Sequence, residues 1–181
     1  MLSPEHRTTL LTIARNAIRS VHEGRAPELD ESAYDEELRR PAGCFVTLTH
    51  DGDLRGCIGS TRAVEPLVRA VVSSAVSAAF RDPRFYPLKP EELERVALEI
   101  SVMGPIERVT NPEDILPGRD GLIITRGHNA GLLLPQVATE YGWDRETFLD
   151  QTCVKAGLSR GAWRDPATKI EKFAAEVFGE E

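Results

Sequence analysis

The chain has 181 residues, of which 41% are hydrophobic, 28% charged and 6% aromatic, a globular balance that excludes a disordered or collagen-like chain. Its formal charge of −7, from 22 basic and 29 acidic residues, and its scattered arginines argue against nucleic acid, which is held by a clustered basic patch. Three cysteines are too few, and odd in number, for a disulfide scaffold, and fit a reducing compartment.

No apolar stretch approaches the ~20 residues of a spanning helix. The N-terminus, Met1-Leu2-Ser3-Pro4-Glu5-His6-Arg7, lacks the basic-then-apolar order of a secretory signal. The expectation is a soluble cytoplasmic protein, away from membranes.

In chain order, Leu10, Ile13, Ala14, Ala17, Ile18 and Val21 form one stripe of a 3.6-residue period, which predicts an amphipathic helix. Ser3 is placed to cap it, Pro4 suits its first turn and Gly24 ends it. The polar stretch from Glu28 to Arg40 reads as a surface loop with a helical turn, anchored by Tyr34 and Leu38. Cys44 to Thr49 is a strand candidate, and Asp51-Gly52 predicts a tight hairpin to a return strand over Leu54–Gly59, because both turn residues must take positive φ.

From Ala63 to Phe80 the chain is rich in Ala, Val and Ser. Its stripe of Leu67, Val71, Ala75 and Ala78 suggests a helix packed closely on a sheet. Val96 to Met103 alternates as a strand, with Val96, Leu98, Ile100 and Val102 on one side. Residues 121–125 and 131–134 predict a second hairpin around Arg126–Ala130. Pro135 stops that hairpin and Gln136–Tyr141 opens a helix, and Asp144 is a cap for another that carries Phe148, Leu149 and Cys153. Ile170, Phe173, Ala174, Val177 and Phe178 fit a helix by spacing, although Glu176–Glu180 also passes for an edge strand.

The segment with chemical content is Leu54-Arg55-Gly56-Cys57-Ile58-Gly59. With a two-residue turn in plain register, Val46 faces Cys57 and Leu48 faces Arg55. Cys44, Val46, Leu48, Arg55 and Cys57 then share one face. Cys44 and Cys57 become diagonal neighbours at roughly 7–8 Å, at the outer limit for a disulfide; a change of parity separates them.

Gly56 and Gly59 leave room for a ligand to approach the backbone. Arg55, sharing the cysteine's face, favours thiolate over thiol. The segment thus reads as an anion pocket holding a nucleophile. The plainer reading is a buried structural cysteine with glycines that mark tight packing. His50 and His128, both next to turns, are weaker candidates for a general base. Asp82 and Arg84 read as an ordinary surface ion pair that fixes the Pro83 turn. Gln136 is placed to cap a helix or to donate into a pocket. No zinc-ligand spacing, phosphate-binding loop or dinucleotide fingerprint occurs, so neither metal nor cofactor is expected.

Leu54–Gly59, Asp82-Pro83-Arg84-Phe85 and Leu133-Leu134-Pro135-Gln136-Val137-Ala138 together resemble the AMMECR-type domain family, component A of the AmmeMemoRadiSam system. The resemblance spans almost the whole chain. It implies a single α+β domain over residues 1–181, largely antiparallel sheet flanked by helices, with a larger lobe and a smaller helical one. It also implies that the tail is a strand, against the helical spacing. It brings an association with Memo-type and radical S-adenosylmethionine proteins but no assigned reaction. Its suspected active or binding residues fall on Arg55, Gly56, Cys57 and Gly59. The leading expectation is a domain whose Arg55/Cys57 pocket, bordered by Asp82 and Arg84, takes a small anionic or electrophilic molecule, Cys57 serving as nucleophile if there is a reaction. The alternative is a non-enzymatic module that serves a partner.

Overall fold

The computed structural model describes residues 1–180. They form two compact units, Met1–Met103 with the tail from Glu176, and Gly104–Ala175. The first unit opens with α1 (Pro4–His22), whose N-cap Ser3 accepts a hydrogen bond from the His6 amide. It ends before Gly24, which takes the left-handed φ of +72°. The predicted stripe is the buried one, Leu10, Ala14 and Ile18 having no exposed surface. The polar stretch that follows carries a 3₁₀ turn (Glu31–Ala33) and a short helix, α2 (Glu36–Arg39), seated by Leu38.

Strands β1 (Cys44–His50) and β2 (Asp53–Ser60) form the expected hairpin, with φ of +52° at Asp51 and +86° at Gly52. Helix α3 (Leu67–Phe80) begins later than Ala63, at the residue after Pro66. Strand β3 (Val96–Met103) pairs antiparallel with β1. Val46, Leu48, Leu98 and Ile100 share the buried sheet face with Val71 and Ala75 of α3 in one core.

The second unit contains β4 (Glu107–Arg108), β5 (Asp120–Arg126), β6 (Asn129–Leu133), α4 (Pro135–Glu140), α5 (Arg145–Lys155) and most of β7 (Lys169–Gly179). Strand β5 lies between β6 and β7, all antiparallel, and β4 adds to β7. Phe148, Leu149 and Cys153 of α5 pack with Leu122 and Ile124 in a second core. The fold class is α+β, and no helix among the described residues is long and apolar enough to cross a membrane.

The tail is a strand. Its helical spacing is overridden because residues from Asp120 to Thr125 satisfy its backbone in the second unit. In the first unit, the Glu180 amide donates to Leu98 O at 2.9 Å.

Arg15 of α1 secures that end. Its Nε donates to Glu180 Oε1 at 2.8 Å and its Nη2 to Val96 O at 2.9 Å, while Glu180 Oε2 also accepts from the Leu98 amide at 3.0 Å. Burial works to raise the Glu180 carboxyl, but Arg15 and the Leu98 amide hold it below its ordinary range. Arg15→Ala removes the guanidinium donor from the Leu93 and Val96 carbonyls and leaves the half-buried Glu180 carboxylate only the Leu98 amide. The expected cost is about 2 kcal/mol, seen as a lower urea midpoint at unchanged slope.

Candidate functional site

The hairpin does not run in plain register. Thr49 pairs with Leu54 and Leu48 with Gly56, so Arg55 is the extra residue of a β-bulge. Beyond it Thr47 pairs with Cys57 and Val46 with Ile58, and every later side chain of β2 changes face. The expected sharing of a face by Cys44 and Cys57 is therefore corrected. Cys44 is buried against Ser74, with sulfur and oxygen 3.6 Å apart. Cys57 is half-buried on the opposite face, where the Thr47 hydroxyl donates to its sulfur at 3.3 Å. Both are free thiols. Burial pushes the Cys44 thiol up to about 11 and raises that of Cys153 as well.

Among the described residues strand β2 pairs only with β1, so alternate backbone groups point away from the sheet. At Cys57 they meet Asp82 and Arg84. The Cys57 amide donates to Asp82 Oδ2 at 2.9 Å, and Arg84 Nη2 donates to Cys57 O at 3.3 Å. The guanidinium also grips Asp82 in a fork, Nε to Oδ1 at 3.0 Å and Nη2 to Oδ2 at 2.7 Å. The Asp82 side chain is only 2% exposed, so this is a buried carboxylate holding the strand edge rather than a surface pair. Arg84, joined by the Cys57 and Arg84 amides and opposed by burial, holds its carboxyl far below the usual range.

The cation next in sequence goes elsewhere. Arg55 Nε and Nη2 take Glu92 in a second fork at 2.9 and 3.0 Å, and Nη1 donates to Tyr86 O at 3.0 Å. Arg55 brings the Glu92 carboxyl down to about 2 against burial. The segment between the two forks is fixed at its base, where Leu88 is buried and its amide donates to Ala79 O at 2.8 Å. It encloses an open groove of about 500 Å³ lined by Arg55, Arg84, Phe85, Tyr86, Lys89 and Glu91 among others. Tyr86 is 89% exposed.

The glycines are occupied on their Cβ side by the chain itself. A Cβ at Gly56 would lie 2.2 Å from Ala78 O of α3, and one at Gly59 would lie 2.2 Å from Cys44 O. Of the expected site residues, Arg55, Cys57, Asp82 and Arg84 are thus brought together along β2, while Gln136 belongs to the second unit, in the first turn of α4. His50 closes the hairpin beside Asp51 at 3.8 Å, and His128 is exposed in the β5–β6 turn of the second unit.

Sequence reasoning missed three participants. Glu92 and Tyr86 are brought in by Arg55. Glu99 pairs with Thr47 across β1, which puts Cys57, Thr47 and Glu99 in one row on one face of three strands. The alternation of β3, with Glu99 opposite in phase to Leu98 and Ile100, carried that last signal.

Asp82→Ala is expected to cost about 2 kcal/mol, and Gly56→Ala about 3 kcal/mol, by forcing α3 off the sheet; urea denaturation measures both. The acid response follows from the depressed carboxyls of Asp82 and Glu92. Their contribution is fully present above the ordinary carboxylate range and is lost as pH falls through their folded values. The stability curves of wild type and Glu92→Gln should therefore stand apart at pH 7 and converge as pH falls toward 2.

The AMMECR1 family model matches residues 11–178. A protein of Methanothermobacter thermautotrophicus is 46% identical, covering 99% of this chain and 97% of its own length. One from Aquifex aeolicus is 44% identical over 94% and 91% of the two chains. The crystal structure of the uncharacterized protein PH0010 from Pyrococcus horikoshii aligns with a TM-score of 0.93 at 42% identity, covering 99% of this chain and 94% of that one.

Proposed function

This chain belongs to the AMMECR1 family, and on that premise we propose that it is a ligand-binding protein whose groove beside β2 takes a small molecule through an anionic group. The observation that carries this reading is the convergence of Arg55 and Arg84, each held rigid by a carboxylate, with Lys89 and the Tyr86 ring around about 500 Å³ of open space. That volume suits a small metabolite. Preorganised side chains bind without a further loss of rotamer freedom.

Cys57 does not line the groove but stands next to it, its backbone held by Asp82 and Arg84, and it is the nucleophile we assign if the protein reacts with an electrophile. The Cys57 side chain is half-buried, whereas Cys44 and Cys153 are buried, and its sulfur accepts a hydrogen bond from the Thr47 hydroxyl. Arg84, rather than Arg55, is the guanidinium at this residue. The three unbridged thiols support a cytoplasmic setting.

A second reading rests on Tyr86, an almost fully exposed aromatic on a segment pinned by two ion pairs. Exposed Tyr and Arg on a rigid support are the composition of a binding hot spot. In that reading the protein docks onto a Memo-type or radical S-adenosylmethionine protein, the partners implied by the resemblance.

The tests separate the two readings. In a panel of small molecules that carry a carboxylate or phosphate, amino acids included, at least one should raise the melting temperature of wild type but not of Lys89→Ala; no shift from any of them sinks the ligand reading. Tyr86→Ala that abolishes co-purification with such a partner at unchanged melting temperature establishes the docking reading. Site-resolved mass spectrometry of iodoacetamide adducts should show Cys57 labelled at least about tenfold faster than Cys44 or Cys153 at neutral pH. Equal rates at all three remove the nucleophile.

A further inference from the structure

We propose that the ligand of this groove is a zwitterion, an α-amino acid or a close derivative, rather than a simple anion; the inference rests on the ligand-binding reading above. Its ground is charge compensation. Arg55 is matched by Glu92 and Arg84 by Asp82, both in bidentate forks. Lys89 and Glu91 are both exposed and both line the groove. Three cations thus stand against three carboxylates.

A phosphate or other polyanion entering here gains attraction from Lys89 but meets repulsion from Glu91, which lines the same groove. A molecule with both signs gains from both. Its carboxylate goes to Lys89 Nζ and to Arg84 Nη1, which no hydrogen bond among the described residues uses. Its ammonium goes to the Glu91 carboxylate, also without a hydrogen-bond or ion-pair partner among the described residues. Its side chain lies on the Tyr86 ring, whose exposed face offers apolar contact and, for the ammonium, a cation–π partner.

The fixed forks make the arrangement selective. Because Arg55 and Arg84 already hold carboxylates, admitting a ligand's second negative charge would require breaking a charge-assisted pair. The groove is also wide enough for the larger amino-acid side chains.

The test is titration of the full ¹⁵N-labelled chain, followed by NMR, with each of the twenty standard amino acids. Hydrocinnamate, phenethylamine and inorganic phosphate, the first two lacking one charge of phenylalanine, serve as the comparison set. Expected are shifts confined to the amides of Arg84–Glu92 with at least one amino acid, and binding weaker by about tenfold or more for the comparison set. Glu91→Gln should weaken the amino acid by about tenfold while leaving hydrocinnamate unchanged or tighter; Lys89→Gln should weaken both. Hydrocinnamate or phosphate binding as tightly as the amino acid, with no effect of Glu91→Gln, overturns the zwitterion and leaves the groove. No shift from any compound overturns both.

Discussion

The structure around the motif depends on one backbone requirement. Cys57 lies on an edge strand, and its amide and carbonyl point away from β1, where no further strand among the described residues meets them. An edge left in that state is a template for pairing with another chain. The Asp82 carboxylate and the Arg84 guanidinium take the places a neighbouring strand would fill, one accepting from the amide and the other donating to the carbonyl. Burial of Asp82 makes this possible and also makes Arg84 necessary, since an unpaired buried carboxylate is costly. Arg84 also lines the groove, so the cap on the strand edge and the groove wall share one side chain.

The bulge at Arg55 sets the direction of everything beyond it. By skipping one residue it turns Gly56 toward α3, where only a glycine fits beneath Ala78, and turns Cys57 to the opposite face beside Thr47. The same skip frees Arg55 from the sheet pattern to grip Glu92 and the Tyr86 carbonyl. Three consequences, a close helix, an open thiol and an anchored loop, follow from one unpaired residue. Small residues along α3 and the bulged strand are mutually required, because the helix can approach only where both surfaces lack bulk.

Electrostatics in the groove is local and balanced. The chain's overall charge of −7 would repel anions at long range, but screening confines such fields to about a Debye length. Within that range each cation of the groove is matched by an acid. On the ligand-binding reading proposed above, such a surface selects by the arrangement of charges rather than by their sum, unlike the phosphate-binding patches of nucleic-acid proteins.

Much of the secondary structure was legible in the chain itself. Helix α1, the Asp51-Gly52 turn and the buried face of β3 are set by local periodicity and by φ preferences that act within a few residues. The resemblance carried by Leu54–Gly59, Asp82–Phe85 and Leu133–Ala138 identified the family and the strand at the tail, which spacing alone read as a helix. What the sequence could not determine was parity. A bulge leaves no mark in the pattern of apolar residues, because it is a compromise between two strands and the helix above them. It decided that Cys44 and Cys57 part and that Arg55 leaves the cysteine for Glu92. Asp82 and Arg84, an unremarkable pair when read along the chain, acquire their place only when folding brings an edge strand with two unmet hydrogen bonds beside them. Local preferences fix elements, whereas the pairing of groups far apart in sequence is fixed by the backbone's need to satisfy every buried donor and acceptor.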